Sequence, residues 1–255
     1  MKIEKNLNVD KILSSKVYVN EYNNITFGSP KDYITPFLDI TGEDNLVIVG
    51  SDRVVNKNED GTENVSYARV RIEKRFNAEL LNGIGVFSPI VGMIYALDIS
   101  KPIIKVYAGL NAVACNNLNV FNADHIFQMD LLSNYRVSYN HLKNYHNCIT
   151  ELIEDYFRKI EDMNNRRLKP EEYNYVIGNI LKRSVRDNVL GTTPIVKAVK
   201  LLEDRQSSYY FYKEDNNTLW NIYNAATDYI SSSPEYKDHP NKSLKMFELI
   251  SETKL

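Results

Sequence analysis

Only two cysteines, Cys115 and Cys148, occur in the 255 residues, too few for the disulfide framework of a secreted domain. No apolar run approaches the length of about 18 residues that spans a bilayer. The longest candidate, IGVFSPIVGMIYAL from Ile84 to Leu97, is interrupted by Ser88, Pro89 and Gly92, so no membrane segment is expected. The opening MKIEKNLNVD lacks the apolar stretch of an export signal, and the chain reads as cytoplasmic. A formal net charge of -2 and a pI near 6.1 exclude a uniformly basic nucleic-acid coat. They leave room for a local basic surface, because net charge averages over faces.

Reactive signatures are missing as well. GIGVFSP contains a GxG but no third glycine and no GK[ST], so the sequence holds no phosphate cradle of a known kind. There is no GxSxG elbow and no HExxH. Cys115 as a nucleophile would need a base, and His125, His141, His146 and His239 stand in no local signature around it. A lone cysteine closing an apolar strand is ordinarily a small buried side chain. An enzyme reading would require Cys115, His125 and Asp130 to converge at a pocket. His141 and His146 are five apart and fall on different sides of a helix, which is poor zinc geometry. Glu151, Asp155 and Lys159 at spacings of four make a solvated ion-pair stripe. No metal or cofactor is expected, although magnesium leaves almost no sequence mark.

What is present is a globular composition, 43% hydrophobic and 25% charged. Residues 1–45, broken by Gly28, Pro30 and Pro36, read as an irregular segment that could wrap the core or reach a neighbouring subunit. Residues 46–255 read as one α+β domain, with an antiparallel sheet of about four to six strands over 46–125 and helices over 141–251. The sheet begins with a hairpin near 46–76: NLVIVGSDRVV, the turn NKNEDGTEN, then VSYARVRIEKRF. In its second strand Ala68, Val70 and Ile72 alternate with Tyr67, Arg69, Arg71, Glu73 and Arg75. PIVGMIYAL, PIIKVYAG and NAVAC are further strands, with Gly109 as a turn between the last two. Ile149, Ile153, Tyr156, Ile160 and Met163 have helical spacing. Pro170 and Pro194 suit first helical turns, Thr193 is a cap, Asn217 or Thr218 opens another helix, and Asn241 opens the last.

Two basic groups could hold nucleic acid. Arg69, Arg71 and Arg75 share one face of the hairpin with Tyr67, and Arg53 on the partner strand could join them; guanidiniums beside a ring can hold phosphates and stack bases. The alternative is a solvated face paired with Glu63 and Glu73. Arg166, Arg167 and Lys169, then Lys182, Arg183 and Arg186, flank the helix that starts at Pro170. If both groups share a surface, a positive groove results.

AVACNNLNVF resembles the Cys-x-Asn turn, and LWNIYNAATDYI the Trp-x-x-Tyr-Asn-Ala-x-Thr-x-Tyr helix, of the phage- and plasmid-borne family called domain of unknown function 932. The matching residues are Cys115 and Asn117, then Trp220, Tyr223, Asn224, Ala225, Thr227 and Tyr229, and the resemblance extends over roughly 45 to 250. Where members carry an arginine before the cysteine and a glycine after the Asn, this chain has Ala112 and Leu118. The resemblance implies a mobile-element origin and a part in replication or recombination of phage DNA, without an established reaction. The residues themselves suggest a structural role: Asn117 shapes the turn, and Asn117 with Asn224 ties the sheet to the helices.

Two functions follow. One is a non-enzymatic accessory protein of phage DNA metabolism in the bacterial host cytoplasm, binding or annealing single-stranded DNA without sequence preference and assembling with itself. The other is a protein-interaction or virion-associated module that docks on another phage protein.

Overall fold

The computed structural model describes residues 2–5, 30–57, 59–60, 63–97, 103–114, 117–130, 136–187, 191–213, 215–232 and 238–253. The fold is α+β: an antiparallel sheet in the N-terminal half, then helices. The strands are β1 (Lys2–Lys5), β2 (Leu46–Lys57), β3 (Glu63–Arg75), β4 (Glu79–Leu81), β5 (Gly85–Leu97), β6 (Ile103–Ala112), β7 (Asn117–Asn119) and β8 (Ile126–Asp130). They join in the order β1-β2-β3-β5-β6-β7, with β4 on β5 and β8 on β6. The helices are α1 (Pro30–Thr41), α2 (Arg136–Asn147), α3 (Ile149–Asn165), α4 (Pro170–Asp187), α5 (Thr192–Glu203), α6 (Leu219–Ser232) and α7 (His239–Ser251).

The chain forms two compact units. One comprises Met1–Phe76, Ile90–Ala108 and Asp124–Ile149; the other comprises Asn77–Pro89, Gly109–Ala123 and Thr150–Leu255.

In the first unit the expected hairpin is β2 on β3, antiparallel from Leu46↔Lys74 to Lys57↔Glu63. A helix stands where the sequence predicts an irregular segment. Pro30 fills the first position of α1, where its missing N–H costs nothing. Pro36 lies inside the helix and removes one bond. Ile34 and Phe37, three apart and fully buried, supply the apolar contact that offsets the loss, and the buried Thr41 hydroxyl donates to Phe37 O at 2.8 Å. Gly42, with φ +69°, ends the helix in the left-handed conformation and donates to Leu38 O at 2.8 Å. α1 packs on α2, where Leu142 and Tyr145 are buried and His141 stacks on Phe127 at 3.9 Å.

In the second unit Ile153, Tyr156, Ile160 and Met163 of α3 are buried as their spacing predicts. The core centres on Phe121, whose ring meets Tyr156 at 4.9 Å, Phe247 at 5.0 Å and Tyr223 at 5.3 Å. Gly109 is not a turn: it lies within β6, and a Cβ there would come 2.7 Å from Asn119 O, so the glycine lets β7 approach. The turn falls instead at Val113 and Ala114. α5 begins at Thr192 with Gly191 as N-cap, so Thr193 is inside the helix rather than capping it. Thr218 caps α6, its hydroxyl accepting from Asn221 N at 3.1 Å. Among the described residues no helix is long and apolar enough to cross a membrane.

Candidate nucleic-acid interface

The basic face of β3 is largely an internal one. Arg71 is 2% exposed and Glu73 is fully buried. The Arg71 guanidinium donates to Glu73 Oε1 through Nη2 at 2.5 Å and to the Tyr107 hydroxyl through Nε at 2.8 Å; Tyr107 in turn donates to Glu73 Oε1 at 2.7 Å. Burial alone would raise the Glu73 carboxyl and lower the Arg71 guanidinium; their mutual attraction and the Tyr107 bonds win in both. Glu73 is held below the usual carboxylate range and Arg71 above its ordinary value. Burial pushes Tyr107 well up, so it remains a phenol. Gly92 makes this arrangement possible. It stands opposite Glu73 in β5, and a Cβ there would overlap the Tyr107 ring, 2.7 Å from Cε1 and nearer still to Cζ.

The flanking arginines are also engaged. Arg69 holds Asp52 with Nε at 2.9 Å and Nη2 at 2.6 Å, and Arg75 stands 3.5 Å from Glu73 Oε2. The backbone register sets Arg53 against Ala68 and Asp52 against Arg69. The side chains of Arg53 and Tyr67 lie outside the described residues. The row expected to face a ligand is thus a neutralised stripe. Guanidiniums can be buried in a sheet when carboxylates and a phenol satisfy them.

The asparagine pair is a tie within the second unit. Asn117 Nδ2 donates to Asn224 Oδ1 at 2.9 Å and to Asn224 O at 3.1 Å. Leu118 N donates to Ser231 Oγ at 3.0 Å. The Tyr223 hydroxyl lies 2.7 Å from Ser243 Oγ, which donates to Leu118 O and accepts from Val120 N. Trp220 packs edge-on to Phe87 at 5.8 Å, and Thr227 bonds Asn224 O at 3.1 Å. These residues bind β7 to α6 and α7 and present no open chemistry. Cys115 lies outside the described residues, as does the side chain of Asp130; His125 is nearly buried against Tyr145.

The second basic group divides along α4. Lys182, Arg183 and Arg186 sit at its far end, on the order of 20 Å from Lys169 by helix rise. There Arg183 is paired with Glu252 and reaches Leu249 O at 3.5 Å, while Lys182 and Arg186 are exposed. Arg166, Arg167 and Lys169 precede the helix and are exposed. Arg167 borders a pocket of about 320 Å³, whose other walls are Leu168, Pro170, Phe211, Tyr212 and Lys213. Asp215 and Asn217 complete the rim.

The pocket is a consequence of how the 204–218 loop is stapled. Leu168 N donates to Asn217 O at 2.7 Å and Leu219 N to Arg166 O at 3.3 Å, which ties the two walls together. Asn216 Nδ2 donates to Ser208 O and Tyr210 O, Asn221 Nδ2 to Tyr209 O, and Phe211 N to Leu202 O. Phe211 is buried and stacks on Tyr173 at 4.2 Å. Tyr212 is 52% exposed, with its ring set at 90° to Phe211 and 5.7 Å from Tyr210. Arg167 is 53% exposed, and its guanidinium is aimed by Asp215 at 2.7 Å and Asn217 at 3.1 Å. An exposed ring and an exposed cation are thus both held in fixed orientations.

Arg167 is legible as part of a basic run, whereas Tyr212 and Lys213 belong to neither basic group of the sequence. Their signal is the aromatic run YYFY followed by Lys213. No family model, curated protein or solved structure matches this chain.

Proposed function

We propose that the chain is a non-enzymatic accessory protein that binds single-stranded DNA through the Arg167, Tyr212 and Lys213 pocket. The observation that carries this reading is the half-exposed Tyr212 ring on a stapled loop beside the exposed Arg167 guanidinium. Bases of any sequence stack on such a ring, and phosphates are drawn to the adjacent cations, so binding is sequence-tolerant and weakens with salt. The hairpin arginines are spent on Asp52 and Glu73 and do not enter the interface. The resemblance to the phage-borne family supports a setting in replication or recombination of phage DNA within the host cytoplasm, where self-assembly would multiply a weak single site.

The test is fluorescence anisotropy of a labelled thymidine oligonucleotide titrated with the full chain at low salt. Binding is expected, and Arg167→Gln with Lys213→Gln should weaken it at least tenfold, about 1.4 kcal/mol. Absence of binding by the parent chain would remove the proposal.

A further inference from the structure

The dimensions and charge of this pocket set what part of a strand it holds. A cavity of about 320 Å³ is at the small end of ligand sites and too small for a run of stacked bases. Among the described residues its lining carries two cations, Arg167 and Lys213, and one anion, Asp215, and a phosphate would meet the two cations. One wall offers one exposed aromatic ring, Tyr212, with Leu168, Pro170 and Phe211 as the other apolar lining. Building on the single-stranded-DNA reading above, we infer that each chain captures one unstacked nucleotide, its base on Tyr212 and its phosphate on Arg167 and Lys213.

Asp215 acts in this arrangement as an internal stand-in for the phosphate. It is 76% exposed, has φ +70°, and its carboxylate holds the Arg167 guanidinium at 2.7 Å. An incoming phosphate must take over that guanidinium, so the carboxylate both orients the arginine and competes with the ligand. Asn at this position keeps an oxygen acceptor for Arg167 and tolerates positive φ at least as well, while removing the competing charge.

The experiment displaces a bound labelled thymidine oligonucleotide from the full chain with thymidine monophosphate, thymidine, or inorganic phosphate. The monophosphate should compete at a concentration at least tenfold below either fragment, because only it fills both halves of the site. Tyr212→Ala should weaken oligonucleotide binding about 5- to 100-fold, the range for losing one base stack, whereas Tyr212→Phe should retain it. Asp215→Asn should tighten oligonucleotide binding severalfold. If the oligonucleotide binds but the monophosphate competes no better than phosphate, the one-nucleotide pocket is overturned and the broader DNA-binding reading stands. Weakened binding in Asp215→Asn, with circular dichroism unchanged, would overturn the stand-in role. Failure of the parent chain to bind any oligonucleotide overturns both readings.

Discussion

Two groups of arginines with similar sequence signatures have opposite fates. On β3, Arg71 is buried and held by Glu73 and Tyr107, and Arg69 is gripped in two-point fashion by Asp52. Before α4, Arg167 is half exposed beside a half-exposed tyrosine and a lysine. In the first group the charge is consumed inside the fold and specifies it. In the second the protein holds the charge in place while leaving it accessible. The comparison teaches that a cation's availability depends on burial of its ion pair and not on pairing alone: Arg69 and Arg167 each hold a carboxylate, but only the Arg167 pair lies open to solvent.

Breaking the buried group should produce the largest effect. Arg71→Met leaves the Glu73 carboxylate buried without its main partner and should cost about 3–5 kcal/mol in urea unfolding. Replacing Arg71, Glu73 and Tyr107 together with Met, Leu and Phe should recover most of that loss, since removing every charge also removes the desolvation cost. The pH dependence has a definite sign. Because the folded-state value of Glu73 lies below its ordinary 4.5, its stabilisation is fully present above that range and fades as pH falls through the lower folded value. The gap between the parent and Arg71→Met should therefore narrow in acid.

Gly92→Ala tests the same stripe by overpacking. Displacing the Tyr107 ring should cost about 1–3 kcal/mol and perturb the Tyr107 bonds to Arg71 and Glu73. Asn117→Ala should cost about 1–3 kcal/mol by removing both bonds that Asn117 Nδ2 gives to Asn224. A double-mutant cycle with Asn224→Ala should show coupling of about 0.5–3 kcal/mol, as the direct pair requires. Tyr212→Ala, at the open group, gives up ring contacts with Tyr210 and Phe211 and should cost only about 1 kcal/mol of stability while lowering DNA affinity. That separation of stability from binding is the sharpest contrast between the two regions.

Much of this fold could be read from local patterns. The hairpin, the stripe Ile153, Tyr156, Ile160 and Met163, the proline opening α4 and the link from Asn117 to Asn224 follow from period, turn chemistry and polar satisfaction. α1 was hidden because Pro30 and Pro36 read as breakers, whereas burial of Ile34 and Phe37 outweighs the lost bond. Gly109 reads locally as a turn because the closeness of β7 that demands a glycine is a long-range contact. The alternation in β3 sets Arg69, Arg71 and Glu73 on one face, but alternation does not say what covers each face. Tyr107 is 34 residues from Glu73 and reaches it over Gly92, a juxtaposition set by strand order alone. The pocket was illegible for the same reason: its walls at 167–170 and 211–217 meet through backbone bonds across nearly fifty residues.

The central claim is that the open group, and not the buried stripe, meets DNA. Hydrogen–deuterium exchange of the full chain, with and without a saturating thymidine oligonucleotide, tests it most directly. Protection confined to peptides covering 166–170 and 204–218, with 63–75 unchanged, is the predicted result. Protection of 63–75 without any change at 204–218 would contradict it.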